Sequence, residues 1–370
     1  MKKDSRTPAV KLRGVVKRFG KLVAVEKMDL DIEEGSFVTL LGPSGCGKTT
    51  ILRMIAGLET PTEGEIYIEG KLVNDIPIHK RNLGMIFQNY ALFPHKSIFD
   101  NVGFGLKYKG VPKPDIKKKV EQALEMVRLP GVEKRMPSQL SGGQQQRIAL
   151  ARAIVMEPVV LLMDEPLSAL DENLREEMRR EIDNLQHVIG ITTIFVTHDQ
   201  REALSMSDKI VVLKDGIMQQ EGNPEVVYNY PANHFVADFL GHSNFFDATV
   251  TAQEENQCMV RLDDGTELRV RHPGEWETGG RVELVVRAQK AVIAGRQGNS
   301  STPEMNLFFG KIKERSYMGG EVSYFVELAN KTMLHVIDVS KGQPLKQGQE
   351  VSVRVPPEQC GLLPREEAPQ

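Results

Sequence analysis

Ser36-Phe37-Val38-Thr39-Leu40-Leu41 runs straight into Gly42-Pro43-Ser44-Gly45-Cys46-Gly47-Lys48-Thr49-Thr50. The first segment has the length and the aliphatic, β-branched composition of a buried strand. From Lys48 to Leu58 the period changes, and Ile51, Leu52, Ile55 and Leu58 fall on one face of a helix. Between the two lies the spacing G-x-x-x-x-G-K-[ST]. Glycines at these places let the backbone wrap so that successive N–H groups point inward, a cradle for phosphate oxygens. Lys48 supplies a point charge toward β- and γ-phosphates, and the Thr49 hydroxyl suits Mg²⁺. A chance glycine-rich turn would need neither the strand before it nor the helix after it. Together they predict an α/β fold of the phosphate-loop NTPase kind.

Working outward, strands and helices continue to alternate up to about residue 240, the pattern of a mainly parallel sheet. Val159 to Met163, Thr192 to Thr197 and Lys209 to Leu213 read as strands, and Asp115 to Val127 as a helix. Glu172 to Val188 is a charged helix with Leu174, Met178, Ile182 and Leu185 along one side, its charges best read as a solvated face. Nucleoside-triphosphate chemistry also needs an acidic group at a neighbouring strand end. Val159-Val-Leu-Leu-Met-Asp164-Glu165 supplies two. Alone, Asp-Glu after a strand is usually a solvated turn. Beside a phosphate loop, Asp164 is the candidate Mg²⁺ holder and Glu165 the candidate general base.

The composition excludes several classes. Over 370 residues, 47 Lys+Arg against 50 Asp+Glu leave a net charge of −3, so there is no global basic field for nucleic acid. That length gives two or three domains as a prior. Cys46, Cys258 and Cys360 are too few and too scattered for a disulfide framework or a zinc ligand set, which points to a reducing compartment. The N-terminal Met1 to Gly20 has positive charges without an apolar stretch behind them, unlike a secretory signal. No run reaches the ~18 apolar residues that span a bilayer. Any membrane role is expected to come through a partner.

Leu140-Ser141-Gly142-Gly143-Gln144 precedes another helix. By itself it is a flexible loop capped by Ser, or an anion-binding helix start with little side-chain obstruction. The stretch resembles the signature of ATP-binding-cassette (ABC) ATPases, and the other cassette motifs appear in the family's order. Gln88 resembles the Q-loop glutamine, Ser168-Ala-Leu-Asp171 the D-loop, and Thr197-His198-Asp199 the switch histidine. Phe19 sits where the family stacks an aromatic ring, more often Tyr, on adenine. The resemblance spans residues 8–240 and implies a head-to-tail dimer binding ATP and Mg²⁺. The phosphate loop (Gly42, Pro43, Ser44, Gly45, Cys46, Gly47, Lys48, Thr49, Thr50) of one copy would be closed by Ser141, Gly142, Gly143 and Gln144 of the other, with Asp171 nearby. Glu165, His198 and Gln88 would be catalytic, and Thr49, Gln88 and Asp164 would hold the metal. A helical subdomain is implied at about 89–157. Tyr90, Leu92, Phe93 and Pro94 would meet a membrane subunit. Cys46, at a helix N-terminus beside Lys48, is in a setting that lowers a thiol pKa. The favoured reading is nevertheless a small residue that fits there with no role for the sulfur, while its alkylation is expected to block ATP binding.

After Leu240 short alternating strands are broken by Gly, Pro and the hairpin signal Asp264-Gly265. Val282, Leu284 and Val286 resemble Val351, Val353 and Val355, and Gly280 and Gly348 precede them. This weak repeat predicts two small β units in series over 241–370, with a linker at 294–304. Such a pair resembles the OB-like transport-associated (TOBE) modules of importer ATPases, the junction Leu240-Gly-His-Ser-Asn-Phe-Phe being most like polyamine-type members. Trp276, Tyr317, Tyr324 and Phe325 lie in no basic stripe, so nucleic-acid binding is not expected. The resemblance implies a peripheral ATPase at the cytoplasmic face of the inner membrane. It would pair with itself or a sister ATPase, and serve transmembrane permease subunits and, indirectly, a solute-binding protein. The solute would be polyamine first, with sugar, iron(III) or another small organic solute behind it. A soluble ABC ATPase without a permease is the reading from a different class.

Overall fold

The computed structural model describes residues 8–271, 274–296, 305–339 and 344–365. The chain separates into two compact units, Met1–Val227 and Tyr228–Gln370. The division falls ahead of the expected residue 240, because the helix His234–Phe239 carries Ala237 into an apolar cluster with Val285 and Leu363 of the second unit.

In the first unit β1 (Val10–Phe19) and β2 (Leu22–Ile32) form a hairpin, and β3 (Phe37–Leu41) leads through the glycine-rich loop into α1 (Lys48–Ala56). Then come β4 (Glu63–Ile68), β5 (Lys71–Leu72) and β6 (Leu83–Ile86). The helices α2 (Ile98–Val102), α3 (Phe104–Tyr108), α4 (Lys113–Met126) and α5 (Gly142–Ile154) follow. The unit closes with β7 (Val160–Asp164), α6 (Glu172–Ile189), β8 (Thr192–Thr197), α7 (Gln200–Met206), β9 (Lys209–Lys214) and β10 (Ile217–Gly222).

A six-stranded sheet runs β10-β9-β3-β8-β7-β6, parallel except for the β9–β10 pair. Its middle strand β3 is buried along its whole length, as an uninterrupted apolar run covered on both faces should be. Leu41 pairs with Thr197 and Asp164 with Val196, so β3, β7 and β8 end together at one sheet edge. The second sheet, β2-β1-β4-β5, is antiparallel and was not read from the sequence. Its strands mix Lys, Arg and Glu among Val, Leu and Ile, a pattern that suits one buried face. α6 has the expected apolar side: Met178 and Ile182 are buried, and Leu174 and Leu185 pack against the same core. Asp171 caps its start and Gly190, at φ 68°, ends it. Arg81 fixes the far end of α1. It is buried and donates to the carbonyls of Met54 and Ile55, both at 2.8 Å, satisfying acceptors that helix termini leave free.

α8 (Pro224–Asn229) spans the division between units, and α9 (His234–Phe239) opens the second. Its strands are β11 (Ser243–Glu254), β12 (Gln257–Leu262), β13 (Glu267–Val270), β14 (Arg281–Arg287), β15 (Val292–Gly295), β16 (Asn306–Tyr317), β17 (Glu321–Leu328), β18 (Met333–Val339), β19 (Glu350–Val355) and β20 (Cys360–Pro364). Asp264-Gly265 does turn the β12–β13 hairpin, where Arg261 faces Glu267. The expectation of two β units in series is corrected. One five-stranded sheet is β13-β12-β11-β14-β20 and the other β15-β19-β16-β17-β18, so each receives a strand from the opposite part of the chain. The repeats are what cross over: β14 passes through a 3₁₀ turn at Ala288–Lys290 into β15, and β19 through Pro357–Gln359 into β20. Residues 297–304 of the expected linker lie outside the described residues.

Two buried asparagines show the same internal symmetry. Asn244 stands opposite Val286, and its amide holds both backbone groups of His335 on the other sheet. Asn306 stands opposite Val355 and does the same to Arg269, at 2.7 and 2.8 Å. Each amide thus satisfies backbone groups that would otherwise lack partners between the sheets. Asn306→Ala is expected to cost the second unit about 2–3 kcal/mol, read as a lower urea midpoint for its transition. An unchanged midpoint would show that the amide bridges contribute nothing net.

Candidate functional site

The phosphate loop is built on close backbone approach. A Cβ on Gly42 would lie 2.3 Å from the Leu213 carbonyl oxygen, and one on Gly47 (φ +99°) 2.4 Å from that of Ala24. Only glycine fits either place. Lys48 is buried, and its amine donates to the carbonyls of Gly42 and Pro43 at 2.7 and 2.8 Å. The charge is therefore held inside the ring of the loop. Thr49 Oγ1 donates to Asp164 Oδ1 at 2.8 Å, joining the start of α1 to the end of β7. Burial pushes the Asp164 carboxyl above its ordinary pKa, opposed by the Thr49 hydrogen bond and then by the charge of Arg53.

At Cys46 burial overrides the setting that would lower a thiol pKa. It is buried, and desolvation pushes its pKa up by more than the neighbouring Lys48 charge pulls it down. A neutral, enclosed sulfur packs here as a small apolar group.

At the same sheet edge Glu165 follows β7 with φ 45°, a left-handed backbone uncommon for a side chain of this kind, and its N–H donates to Val196. Its Oε2 lies 3.4 Å from His198 Nδ1. Gln88 Nε2 donates to Ser168 Oγ at 3.2 Å, and that hydroxyl donates to the Glu165 carbonyl at 3.0 Å. The structure thus brings Lys48, Thr49, Asp164, Glu165, Gln88, Ser168 and His198 to one edge through a chain of direct contacts. Phe19 stands at the end of β1, exposed, with Lys17 Nζ 4.7 Å from its ring centroid.

Ser141 and Gln144 are used locally. The Ser141 hydroxyl accepts from Gln144 N–H while the Gln144 side chain accepts from Ser141 N–H, a reciprocal cap on α5. Gly143 packs so closely on α6 that an added Cβ would meet Leu174 at 2.8 Å. Among the described residues no hydrogen bond joins 141–144 to the phosphate loop. Asp171 likewise spends its carboxylate on Leu174 N–H.

One expectation changes with burial. Tyr90 belongs to the core around α2–α5, its hydroxyl enclosed without a partner, so of the four partner-facing candidates only Leu92, Phe93 and Pro94 retain surface. Arg152 holds this turn, donating to the Tyr90 and Ala91 carbonyls at 2.7 Å. Tyr324 is also core, with its hydroxyl accepting from Leu345 N–H. Arg175 and Glu202, beside the His198 loop, were passed over in the sequence because charged residues on amphipathic helices read as solvated. Asp199 followed at three residues by Glu202 was the available signal of an ordered helix start.

Residues 25–168 match the family model described as ABC transporter, and 284–363 the one described as TOBE domain. The chain is 45% identical over 366 residues to the spermidine/putrescine import ATP-binding protein PotA of Rubrobacter xylanophilus, covering 98% of this chain and 95% of that protein. The chain belongs to the ABC transporter family of import ATP-binding subunits. It is an ATPase of that family. A second relative, the Fe(3+) ions import ATP-binding protein FbpC of Agrobacterium fabrum, is also 45% identical, covering 93% of this chain and 95% of that protein. Among solved structures, cbiO1 from Clostridium perfringens superposes with a TM-score of 0.57 at 29% identity, over 60% of this chain and 91% of that one. The dimeric structure of a bacterial ABC transporter cassette gives 0.52 at 35% identity, over 58% and 98%.

The thiol at the heart of this cassette's phosphate loop is expected to resist maleimide. At pH 7.5 Cys46 should label at least about tenfold more slowly in the native chain than in urea, with the rate rising toward alkaline pH as the thiolate forms. Equal rates by mass spectrometry would refute its enclosure.

Proposed function

We propose that this chain energises the import of a polyamine of the spermidine/putrescine type, hydrolysing ATP as one half of a head-to-tail dimer of cassettes. The observation that carries the dimer is the division of the site. The phosphate loop, Glu165 and His198 share one sheet edge, whereas among the described residues no hydrogen bond brings 141–144 to them. A second cassette would supply that missing wall, and the dimeric form of a similar cassette supports this. Polyamine is favoured by the name of a relative matched over 98% of the chain; iron(III) is the second reading, favoured by a relative of equal identity.

In this reading Lys48 exchanges its two carbonyl partners for phosphate oxygens, and backbone N–H groups at the start of α1 complete the cradle. Thr49 and Asp164 present hard oxygens, already 2.8 Å apart, that fit Mg²⁺. Bound there, the ion would supply charge neutralisation on the phosphates. Glu165 takes the proton of the attacking water, with its backbone fixed by the Val196 bond. His198 and Gln88, each one contact from Glu165 or its carbonyl, orient that water and the γ-phosphate. Phe19 offers an exposed π face to adenine. Phosphate-loop residues 42–50 line the nucleotide, with Ser141, Gly142, Gly143, Gln144 and Asp171 acting across the dimer.

Among the described residues no helix is long and apolar enough to cross a membrane. The cassette would sit peripherally at the cytoplasmic face, docked to separate permease subunits that a solute-binding protein loads. The second unit would serve regulation or pairing.

Glu165→Gln is expected to cut kcat by at least about 100-fold while ATP and Mg²⁺ drive the variant into a closed dimer. Elution as a monomer at high protein concentration would count against the dimer. Lys48→Ala should lose nucleotide binding in calorimetry. Reconstitution with the permease and binding protein identifies the solute: spermidine-stimulated ATPase supports the first reading, and stimulation by ferric iron alone replaces it with the second.

A further inference from the structure

We propose that Arg175 and Glu202 form a strut, enclosed at Glu202 and half-buried at Arg175, that sets His198 against Glu165 and ties both to the loop ahead of α6. These are positioning residues, not reacting ones. Arg175 lies in the first turn of α6. Its Nη2 donates to the Leu170 carbonyl at 2.9 Å, and its Nη1 lies 3.2 Å from Glu172 and 3.8 Å from Asp199. Its Nε faces Glu202 Oε1 at 4.0 Å and is buried without a hydrogen-bond partner. On the other side, Glu202 is only 4% exposed, and its Oε2 accepts the Thr197 hydroxyl. That same hydroxyl accepts Asp199 N–H at 2.9 Å, and Asp199 Oδ1 in turn accepts the N–H groups of Arg201 and Glu202. His198 is therefore pinned through both of its chain neighbours.

An enclosed carboxylate needs a cation as well as a hydroxyl, because desolvation is otherwise uncompensated. Arg175 is the permanently charged group beside it, shared among Glu172, Asp199 and Glu202. Between this strut and the His198–Glu165 pair lies a cavity of about 40 Å³ lined by Glu165, Ser168, Arg175, Thr197, His198, Asp199 and Glu202. It is polar and large enough for a water that could satisfy Arg175 Nε. Any displacement of the Leu170 carbonyl moves the guanidinium. Through Glu202 and Thr197 that displacement reaches His198. Ser168 to Asp171 is the stretch that the head-to-tail dimer would press upon, so this coupling rests on the dimer reading. The strut itself does not.

The test is steady-state ATPase of the full chain carrying Arg175→Met, Glu202→Gln or both, with the folded fraction measured by circular dichroism. Each single variant is expected to lose about tenfold in kcat, with the ATP KM changed less than about twofold. The double variant should be no slower than the slower single, since either change breaks the same strut. Arg175→Lys should recover part of kcat, restoring the charge without the fork that also reaches Leu170. Multiplying losses, a raised KM at unchanged kcat, or wild-type kcat per folded molecule would each overturn the strut. Absence of ATPase in the wild-type chain would instead overturn the hydrolytic reading, so the two failures are distinguishable.

Discussion

Parallel pairing of β3 with β8 and of β8 with β7 sets Leu41 beside Thr197 and Asp164 beside Val196, and the site depends on that register. Three chain segments far apart in sequence stop at the same level, so the residues just past each strand meet. A slip of one residue would turn the final side chains to the opposite sheet face and separate Thr49 from Asp164 and Glu165 from His198. The register is protected by burial, since β3, β7 and β8 are enclosed along their whole lengths. A catalytic edge of mainly polar groups is thus positioned by strands in which Asp164 is the one charged side chain.

Enclosure also shapes the electrostatics. Lys48, Asp164 and Glu202 are all buried, and each is compensated differently: Lys48 by two carbonyls, Asp164 by a hydroxyl and nearby cations, Glu202 by a hydroxyl and a shared guanidinium. Burial pushes both carboxyls above their ordinary pKa range, so these are costly positions for charge. The Lys48 arrangement is the most easily exchanged, because carbonyl dipoles are weaker partners than phosphate. Cys46 lies within this same enclosure, and the contrast is instructive. Proximity to a lysine would activate an exposed thiol, but desolvation is the larger effect once the sulfur is inside.

Much of this was legible in the residues because backbone geometry demanded it. Gly42 and Gly47 cannot be replaced without backbone collision, and Lys48 and Thr49 follow at fixed spacing on a helix start, so the loop could be read in one dimension. Asp164 and Glu165 were legible for a similar reason, standing at the end of an apolar strand. Arg175 and Glu202 were not, because their roles depend on α6 and α7 meeting, and a charged helical residue has the same pattern whether it faces water or a buried partner. Tyr90 misled in the opposite direction: an aromatic cluster in a loop-like segment gave no sign of which ring would be enclosed.

The second unit shows why a repeat can be detected while its architecture is misread. Similarity between Val282–Val286 and Val351–Val355 says that two strands occupy equivalent environments, not that each belongs to its own compact half. Here both strands are next to a sheet edge and equivalent: β14 lies between β11 and β20, and β19 between β16 and β15. After each, a 3₁₀ turn sends the chain into the opposite sheet. Asn244 and Asn306 repeat the exchange with side-chain amides, each bonding the backbone of a strand in the other sheet. Two units in series could separate by stretching one linker. Two chain halves that exchange strands cannot, because separating them would require breaking the β14–β20 and β15–β19 ladders as well as both amide bridges. Local sequence similarity was preserved through the exchange because pairing environment, not chain connectivity, determines which side chains a strand must carry.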